Sequence, residues 1–108
     1  MALQLPIPIA SYFAAEKADP ETFGRCFAAD AIVKDEGHTY IGLAAIKQWR
    51  TEAQTKYVYT SVPFASAQEK GKTIITSRLT GNFPGSPIDL RYFFTLDGDK
   101  IASLEIIV

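Results

Sequence analysis

The stretch FAADAIVKDEGHTYIGLAAIKQW, residues 27–49, decides the fold of this chain. The β-branched residues within 31–35 predict a short strand that ends at Asp35. A Glu-Gly-His turn and a brief return strand over residues 39–41 follow it. Residues 43–55 then predict a helix, because their apolar side chains recur at helical spacing. We therefore expect a strand hairpin followed directly by a helix at the centre of the chain.

The segment before this stretch predicts two short helices. Pro8 suits the first turn of a helix, because its missing N–H needs no partner there. The residues that follow on one helix face are Ile9, Tyr12, Phe13 and Glu16. Asp19 and Pro20 are typical of an N-cap and a first-turn proline, which predicts the second helix.

The second half of the chain predicts four strands. Their expected ranges are residues 57–67, 73–80, 88–96 and 101–108. Short turns rich in Gly, Pro, Asn and Asp connect them, which predicts antiparallel pairing of successive strands. Helices that precede a run of strands are typical of the α+β class. We expect one domain over residues 1–108, with a curved antiparallel sheet wrapped around the three helices of the N-terminal half.

The composition argues against several classes of function. The chain has 11 basic and 12 acidic residues, so it lacks the positive surplus of a nucleic-acid binder. No apolar run approaches the roughly 18 residues that cross a bilayer, so no membrane segment is expected. One cysteine excludes an internal disulfide, and one histidine excludes a metal site with two histidine ligands. The first residues lack the pattern of a secretory signal, so the expected location is the cytoplasm.

Three segments resemble the nuclear transport factor 2-like superfamily. They are residues 11–20 (SYFAAEKADP), residues 27–35 (FAADAIVKD) and residues 40–49 (YIGLAAIKQW). The superfamily includes SnoaL-like polyketide cyclases, ketosteroid isomerases and scytalone dehydratases. The resemblance implies a cone-shaped, cystatin-like α+β barrel with a hollow between its helices and its sheet. The same fold also hosts ligand carriers and assembly domains, so the fold alone does not define a reaction.

Asp35 matches the position at which the ketosteroid isomerase-like pattern has a general base, which moves a proton at the carbon next to a carbonyl group. The predicted strand places Ala31, Val33 and Asp35 on one face, which should line the hollow. Burial there would raise the pKa of Asp35 toward neutrality, as suits a base. Alternatively, Asp35 enters a turn and bonds the main chain of Glu36 and Gly37.

Tyr12 matches the position of a first-helix tyrosine. In the resembled enzymes this tyrosine donates a hydrogen bond to the oxyanion that develops during the reaction. Alternatively, Tyr12 is a core aromatic residue whose hydroxyl group finds one partner or reaches water. The enzymatic hypothesis requires that Tyr12 and Asp35 face the same hollow.

Arg91 stands where the isomerase pattern has a second, protonated acid, so the resemblance does not extend to steroid isomerisation. An arginine in the hollow would hold an acidic group of the substrate or pair with Asp35. Alternatively, Arg91 lies on the outer sheet face and forms a solvated ion pair with Asp89. The other expected substrate-binding residues are Trp49, Tyr57, Phe93 and Val33.

The strand over residues 88–96 carries two alternating pairs, Arg91 with Phe93 and Tyr92 with Phe94. One pair must face the helices and the other must face outward. If Tyr92 and Phe94 face outward, the sheet exposes an apolar face too large for a monomer. This motivates a homodimer through the outer sheet face, an arrangement common in the resembled family.

The leading hypothesis is a small SnoaL-like enzyme that needs neither cofactor nor metal. It would bind an apolar or aromatic carbonyl compound in the hollow, where Asp35 moves a proton and Tyr12 steadies the oxyanion. The expected reaction is an isomerisation, an aldol-type cyclisation or a dehydration. The alternative is a non-catalytic domain of the same fold that binds a small molecule or forms a dimeric assembly.

Overall fold

The structure, a computed structural model, describes residues 4–16 and 18–108. This part of the chain contains three helices and six strands. The helices are α1 (Ile7–Ala14), α2 (Pro20–Gly24) and α3 (Leu43–Lys56). The strands are β1 (Phe27–Asp35), β2 (His38–Ile41), β3 (Tyr59–Glu69), β4 (Lys72–Gly81), β5 (Ile88–Asp97) and β6 (Lys100–Ile107).

The helices begin where their sequence predicts. Pro8 lies in the first turn of α1. The Asp19 side chain caps α2, because its Oδ1 accepts a hydrogen bond from the main-chain N–H of Thr22 at 2.8 Å. Gly42 precedes α3 with a φ of +86°, a left-handed conformation that glycine adopts without strain. None of the helices in the described residues is long and apolar enough to cross a membrane.

The six strands form one sheet in the order β2-β1-β6-β5-β4-β3. Strands joined by a turn pair antiparallel, namely β1 with β2, β3 with β4, β4 with β5 and β5 with β6, whereas β1 and β6 pair in parallel. The sheet is therefore mixed rather than wholly antiparallel. Short turns impose antiparallel pairing only on consecutive strands, and most of the chain separates β1 from β6. The sheet is curved and leaves β2 and β3 as open edges, so the barrel does not close.

An aromatic core packs α1 and α2 against the inner face of the sheet. The rings of Tyr12, Phe23, Phe27 and Phe94 meet there, with centroids 5.3 to 6.1 Å apart. These residues come from α1, α2, β1 and β5, so one cluster ties the N-terminal helices to both halves of the sheet. The α+β class expected from the sequence is confirmed.

The structure also decides which alternating pair of β5 faces the helices. Tyr92 and Phe94 point inward and are 2% and 0% exposed. Arg91 is exposed and Phe93 is half-buried on the outer face, where the Arg91 guanidinium lies 5.9 Å from the Phe93 ring. Arg91 and Phe93 therefore do not face the hollow, which corrects the expectation that they bind a substrate there. Of the two orientations that the sequence left open, the one with Tyr92 and Phe94 inward is observed. The inward pair buries more apolar surface than an arginine and a phenylalanine would.

Candidate active site

A cavity of about 770 Å³ lies between α1, α3 and the inner face of the sheet. This volume is within the range of small-molecule sites. All five tyrosines of the chain line the cavity: Tyr12, Tyr40, Tyr57, Tyr59 and Tyr92. Exposed residues, among them His38 and Lys56, lie at its rim, so the cavity is open to solvent. The walls therefore offer aromatic surface together with several hydroxyl groups.

Asp35 reaches this cavity from the end of β1. Ala31 and Val33 precede it on the buried side of the strand, both 0% exposed. The side chain of Asp35 is half-buried, and its Oδ2 accepts a hydrogen bond from Nε1 of Trp49 at 3.1 Å. Because Trp49 belongs to α3, this bond holds the carboxylate between the sheet and the helix.

The surroundings of Asp35 raise the pKa of its carboxyl group. Burial is the main cause, and the nearby charge of Glu36 acts in the same direction. The N–H of Trp49 and the side chain of His38 lower the pKa, but they do not cancel the effect of burial. A carboxylate with a raised pKa takes up a proton more readily, so this environment strengthens Asp35 as a general base.

Tyr12 lines the same cavity from α1, and it is 1% exposed. Its ring packs in the aromatic core, including Phe13 at 5.0 Å and Phe94 at 5.4 Å between ring centroids. Burial, followed by the negative charge of Glu16, raises the pKa of Tyr12 well above its ordinary value. The hydroxyl group is therefore protonated at neutral pH and available as a hydrogen-bond donor.

Of the expected substrate-binding residues, Trp49 and Tyr57 lie in the cavity wall with Asp35 and Tyr12. The Tyr57 ring meets the ring of Phe83 in a T-shaped contact, with centroids 6.0 Å apart. Phe83 belongs to the loop between β4 and β5, so this contact closes one side of the cavity. The structure thus brings four of the residues singled out in the sequence to one place.

Val33, Arg91 and Phe93 lie outside the cavity. Val33 is completely buried in the core beneath β1. Arg91 and Phe93 are on the outer sheet face, and Asp89 pairs there with Arg78 at 2.9 Å rather than with Arg91. The geometry gives none of these three residues a contact with a ligand in the hollow.

Sequence reasoning missed a buried ion pair in the cavity wall. Nη1 of Arg50 lies 3.9 Å from Oε2 of Glu16, and the two side chains are only 4% and 8% exposed. It also missed Tyr59 and Tyr92, whose pKa values burial raises. One signal was available, because Glu16 follows Tyr12 by four residues and so shares its face of the helix that the sequence predicts.

The described residues contain no group of three His, Cys, Asp or Glu side chains that could hold a metal ion. The ionisable residues of the cavity are instead dispersed along its walls and rim.

The fold matches several known structures. A candidate polyketide cyclase from Sinorhizobium meliloti is 36% identical to this chain, with 95% of each chain covered and a TM-score of 0.90. A protein with a ketosteroid isomerase-like fold from Catenulispora acidiphila is 19% identical, with 97% of this chain and 87% of that chain covered and a TM-score of 0.83. A nuclear transport factor 2-like protein of unknown function from Cytophaga hutchinsonii is 13% identical, with 99% and 93% covered and a TM-score of 0.73. No protein-family model and no curated protein matches the chain.

An identity of 36% over 95% of both chains shows the family. The chain belongs to the SnoaL-like polyketide cyclase family, and it shares the fold of the ketosteroid isomerase-like and nuclear transport factor 2-like structures. The resemblance seen in the three sequence segments and the cone-shaped α+β architecture are thereby confirmed. Because this fold serves many functions, family membership does not identify the reaction, which depends on the side chains of the cavity.

Replacing Asp35 with asparagine is expected to raise the free energy of unfolding at neutral pH. Burial raises the folded-state pKa of Asp35 above its ordinary value of 3.8. The folded protein therefore binds this proton more tightly than the unfolded chain does, and stability falls as the pH rises above 3.8. Asparagine remains neutral and can still accept the hydrogen bond from Trp49, so the variant avoids that loss.

Urea unfolding of the variant and the wild type at two pH values measures this effect. The variant should be the more stable protein at neutral pH, and its advantage should disappear at about pH 3, where the carboxyl group is protonated in both states. Asp30→Asn, at an exposed position of the same strand, is the control and should show no such gain. A wild type as stable as Asp35→Asn at neutral pH would contradict the assigned environment.

Proposed function

We propose that residues 1–108 form one SnoaL-like domain that binds an apolar or aromatic carbonyl compound and moves a proton at the carbon next to its carbonyl group. No cofactor takes part in the proposed reaction. Asp35 is the general base, and Tyr12 is the hydrogen-bond donor to the oxyanion. The observation that carries this proposal is a half-buried carboxylate with a raised pKa at the wall of an aromatic cavity.

The geometry supports a simple sequence of steps. Trp49 holds Oδ2 of Asp35, which fixes the orientation of the carboxylate. The carboxylate takes the proton from the α-carbon, and the electrons of the C–H bond move onto the carbonyl oxygen to form an enolate. The protonated hydroxyl of Tyr12 donates to that oxygen, which lowers the barrier because charge develops there.

The fate of the enolate defines the reaction class. Return of the proton from Asp35 to a different carbon gives an isomerisation. Attack of the enolate carbon on a second carbonyl group gives an aldol-type cyclisation, and loss of a hydroxide from the β-carbon gives a dehydration. Each reaction starts with the same proton transfer, which is therefore the step to test.

The cavity walls support the choice of ligand. Trp49 and Tyr57 offer aromatic surface in addition to the other tyrosines. Ring edges and faces of this kind pack well against another aromatic ring. Val33, Arg91 and Phe93 have no place in this proposal, because they lie outside the cavity.

Exchange of the α-hydrogens of 2-tetralone for deuterium tests the proton-transfer step directly. This bicyclic ketone is small enough for the cavity, and proton NMR in D2O follows the loss of its α-signals. We expect the protein to accelerate exchange well above the rate in acetate buffer of equal carboxylate concentration. Exchange no faster than in acetate would contradict the proposal.

The alternative is a non-catalytic domain that binds a small molecule in the same cavity. The specific observation in its favour is the size of the open cavity, which suits binding whether or not a reaction follows. Saturable binding of 2-tetralone without any acceleration of its exchange would support this alternative over the enzymatic function.

The proposal includes a homodimer through the outer sheet face. Val62 and Phe64 on this face are 60% and 50% exposed. Exposed apolar side chains on a sheet favour a covering partner, and a second copy of the chain offers the same surface. Assembly of this kind leaves the cavity on the opposite face of the sheet available to a ligand.

Phe64→Asp is expected to weaken the dimer by placing a charge in the apolar contact. Sedimentation velocity at micromolar concentration should show the wild type at twice the mass of one chain and the variant shifted toward the monomer. Ile7→Asp is the control, because Ile7 is 80% exposed on α1, away from the sheet. A wild type that sediments only as a monomer would exclude the dimer.

A further inference from the structure

A second charged feature of the cavity lies apart from Asp35. Arg50, from α3, and Glu16, just after α1, are both in the cavity wall and are 3% and 6% exposed. Nε2 of Gln54 donates to the main-chain oxygen of Glu16 at 2.7 Å, which fastens the end of α1 to α3. Both charges act on the hydroxyl group of Tyr12, so the pair lies near the proposed oxyanion donor.

The guanidinium of Arg50 is held in a defined position. Its Cζ lies 5.6 Å from the ring centroid of Phe23 and 5.6 Å from that of Tyr59. Aromatic rings at this distance attract the cation and restrict its motion. The planar group is thus placed in the wall before any ligand arrives.

The hydrogen-bonding capacity of Arg50 is only partly used. Among the described residues, its buried Nε–H has no hydrogen-bond partner. The 3.9 Å contact between Nη1 and the Glu16 carboxylate supplies opposite charge but is longer than a hydrogen bond. A buried donor without an acceptor is unfavourable, and such groups commonly mark a position where a ligand, ion or water belongs.

We propose that Arg50 is the anion-binding group of the cavity, and that the ligand carries a carboxylate on its aromatic or apolar frame. An arginine fork matches a carboxylate with two parallel hydrogen bonds, which are strongest where water is excluded. Arg50 thereby takes the role that the sequence suggested for Arg91. This inference rests on the proposed function, because it names the substrate class of the same cavity.

Four acidic side chains line the cavity, and two of them, Asp35 and Glu16, are shielded from solvent and act against a bound carboxylate. Glu36 and Glu52 are acidic but exposed at the rim, where solvent and salt screen them. Glu16 is close enough to compete with a ligand for Arg50. Removing the charge of Glu16 should therefore strengthen carboxylate binding, which a purely structural ion pair does not predict.

A matched pair of ligands measures the preference for a carboxylate. Isothermal titration calorimetry at neutral pH would compare 2-naphthoate with 2-naphthamide, which has the same ring system without the charge. The wild type should bind the naphthoate about tenfold more tightly, as expected for one well-formed charge-assisted contact. Equal affinity for the two ligands would overturn the inference.

Variants assign the preference to Arg50. In Arg50→Gln the affinity for 2-naphthoate should fall about tenfold, while the affinity for 2-naphthamide stays near that of the wild type. Glu16→Gln should bind 2-naphthoate more tightly than the wild type does. Arg91→Gln, at an exposed arginine outside the cavity, is the control and should retain the full preference. A preference that survives in Arg50→Gln would contradict the assignment.

An NMR measurement on the wild type tests the role of Arg50 even if the Arg50→Gln variant does not fold. The NMR signal of the Arg50 Nε–H should move downfield when 2-naphthoate saturates the protein, because the proton gains an acceptor. The signal should not make this shift with 2-naphthamide. An unchanged signal at saturation with 2-naphthoate would overturn the inference.

The test of carboxylate binding by Arg50 can fail independently of the test of proton transfer by Asp35. Asp35→Asn should keep the preference for 2-naphthoate, because Asp35 does not hold the anion. Carboxylate preference without any exchange of 2-tetralone would leave an acid-binding carrier and exclude the enzymatic proposal. Exchange without carboxylate preference would retain the enzyme and exclude the role of Arg50.

Discussion

Asp35→Asn is expected to slow the protein-catalysed exchange of 2-tetralone by about 10²- to 10⁴-fold, the range for loss of a general base. Asparagine has nearly the same shape and can keep the hydrogen bond from Trp49, but it cannot accept the substrate proton. The cavity should therefore remain intact. The loss should appear in the rate of the chemical step, with little change in the affinity for the ketone.

Two comparisons make this prediction specific to Asp35. Asp30→Asn removes the same charge from an exposed position of β1, outside the cavity, and should leave the exchange rate unchanged. Asp35→Glu keeps the carboxylate but moves it by one methylene group, so it should retain part of the rate. An Asp35→Asn protein that exchanges 2-tetralone as fast as the wild type would remove Asp35 from the mechanism.

Tyr12→Phe is expected to slow the same exchange by about 10²- to 10³-fold, as found for the loss of one oxyanion donor. The ring can keep its place among the aromatic residues of the core, including Phe13 and Phe94. Only the hydroxyl group is lost, so the affinity for the neutral ketone should change little. The circular dichroism of the variant should match that of the wild type.

Two other tyrosines of the cavity test whether Tyr12 is the correct donor. Tyr59 and Tyr92 also line the cavity, and the charge of Asp35 contributes to the raised pKa of each. The proposal expects Tyr59→Phe and Tyr92→Phe to slow exchange less than Tyr12→Phe does. If either variant shows the larger loss while Tyr12→Phe remains near the wild-type rate, the oxyanion donor is reassigned to that residue.

Much of the fold could be predicted from local sequence, because turns and caps act over a few residues. The hairpin after Asp35, the helix after Gly42 and the cap at Asp19 all depend on neighbours in the chain. The parallel pairing of β1 with β6 could not be predicted in this way. This pairing forms because the curved sheet brings two strands together that are remote in the sequence. No short turn connects β1 to β6, so no local sequence signal predicts the pairing.

The alternation in β5 shows a second limit of sequence reasoning. A period of two separates Arg91 and Phe93 from Tyr92 and Phe94, but it does not say which pair faces the core. Hydrophobicity favours Tyr92 and Phe94 inside, but the family pattern aligned Arg91 with a residue of the hollow and so suggested the opposite orientation. The structure places the pair without the charge inside.

Only those residues of the candidate site that match the family pattern were predicted from the sequence. Asp35 and Tyr12 came from matches to known positions, and the structure places both at one cavity. Glu16 and Arg50 were missed, because charged residues on helices are usually solvated. Their burial depends on the contact between α3 and the segment just after α1, which local sequence does not encode.

The most direct test of the central claim is a titration of the Asp35 carboxyl carbon by 13C NMR, in the free wild-type protein. A carboxylate that works as a base in this cavity should titrate above its ordinary value of 3.8, because burial outweighs the hydrogen bond from Trp49. Trp49→Phe should move the midpoint higher still, since it removes that donor. A midpoint at or below 3.8 would contradict the assignment of Asp35 as the general base.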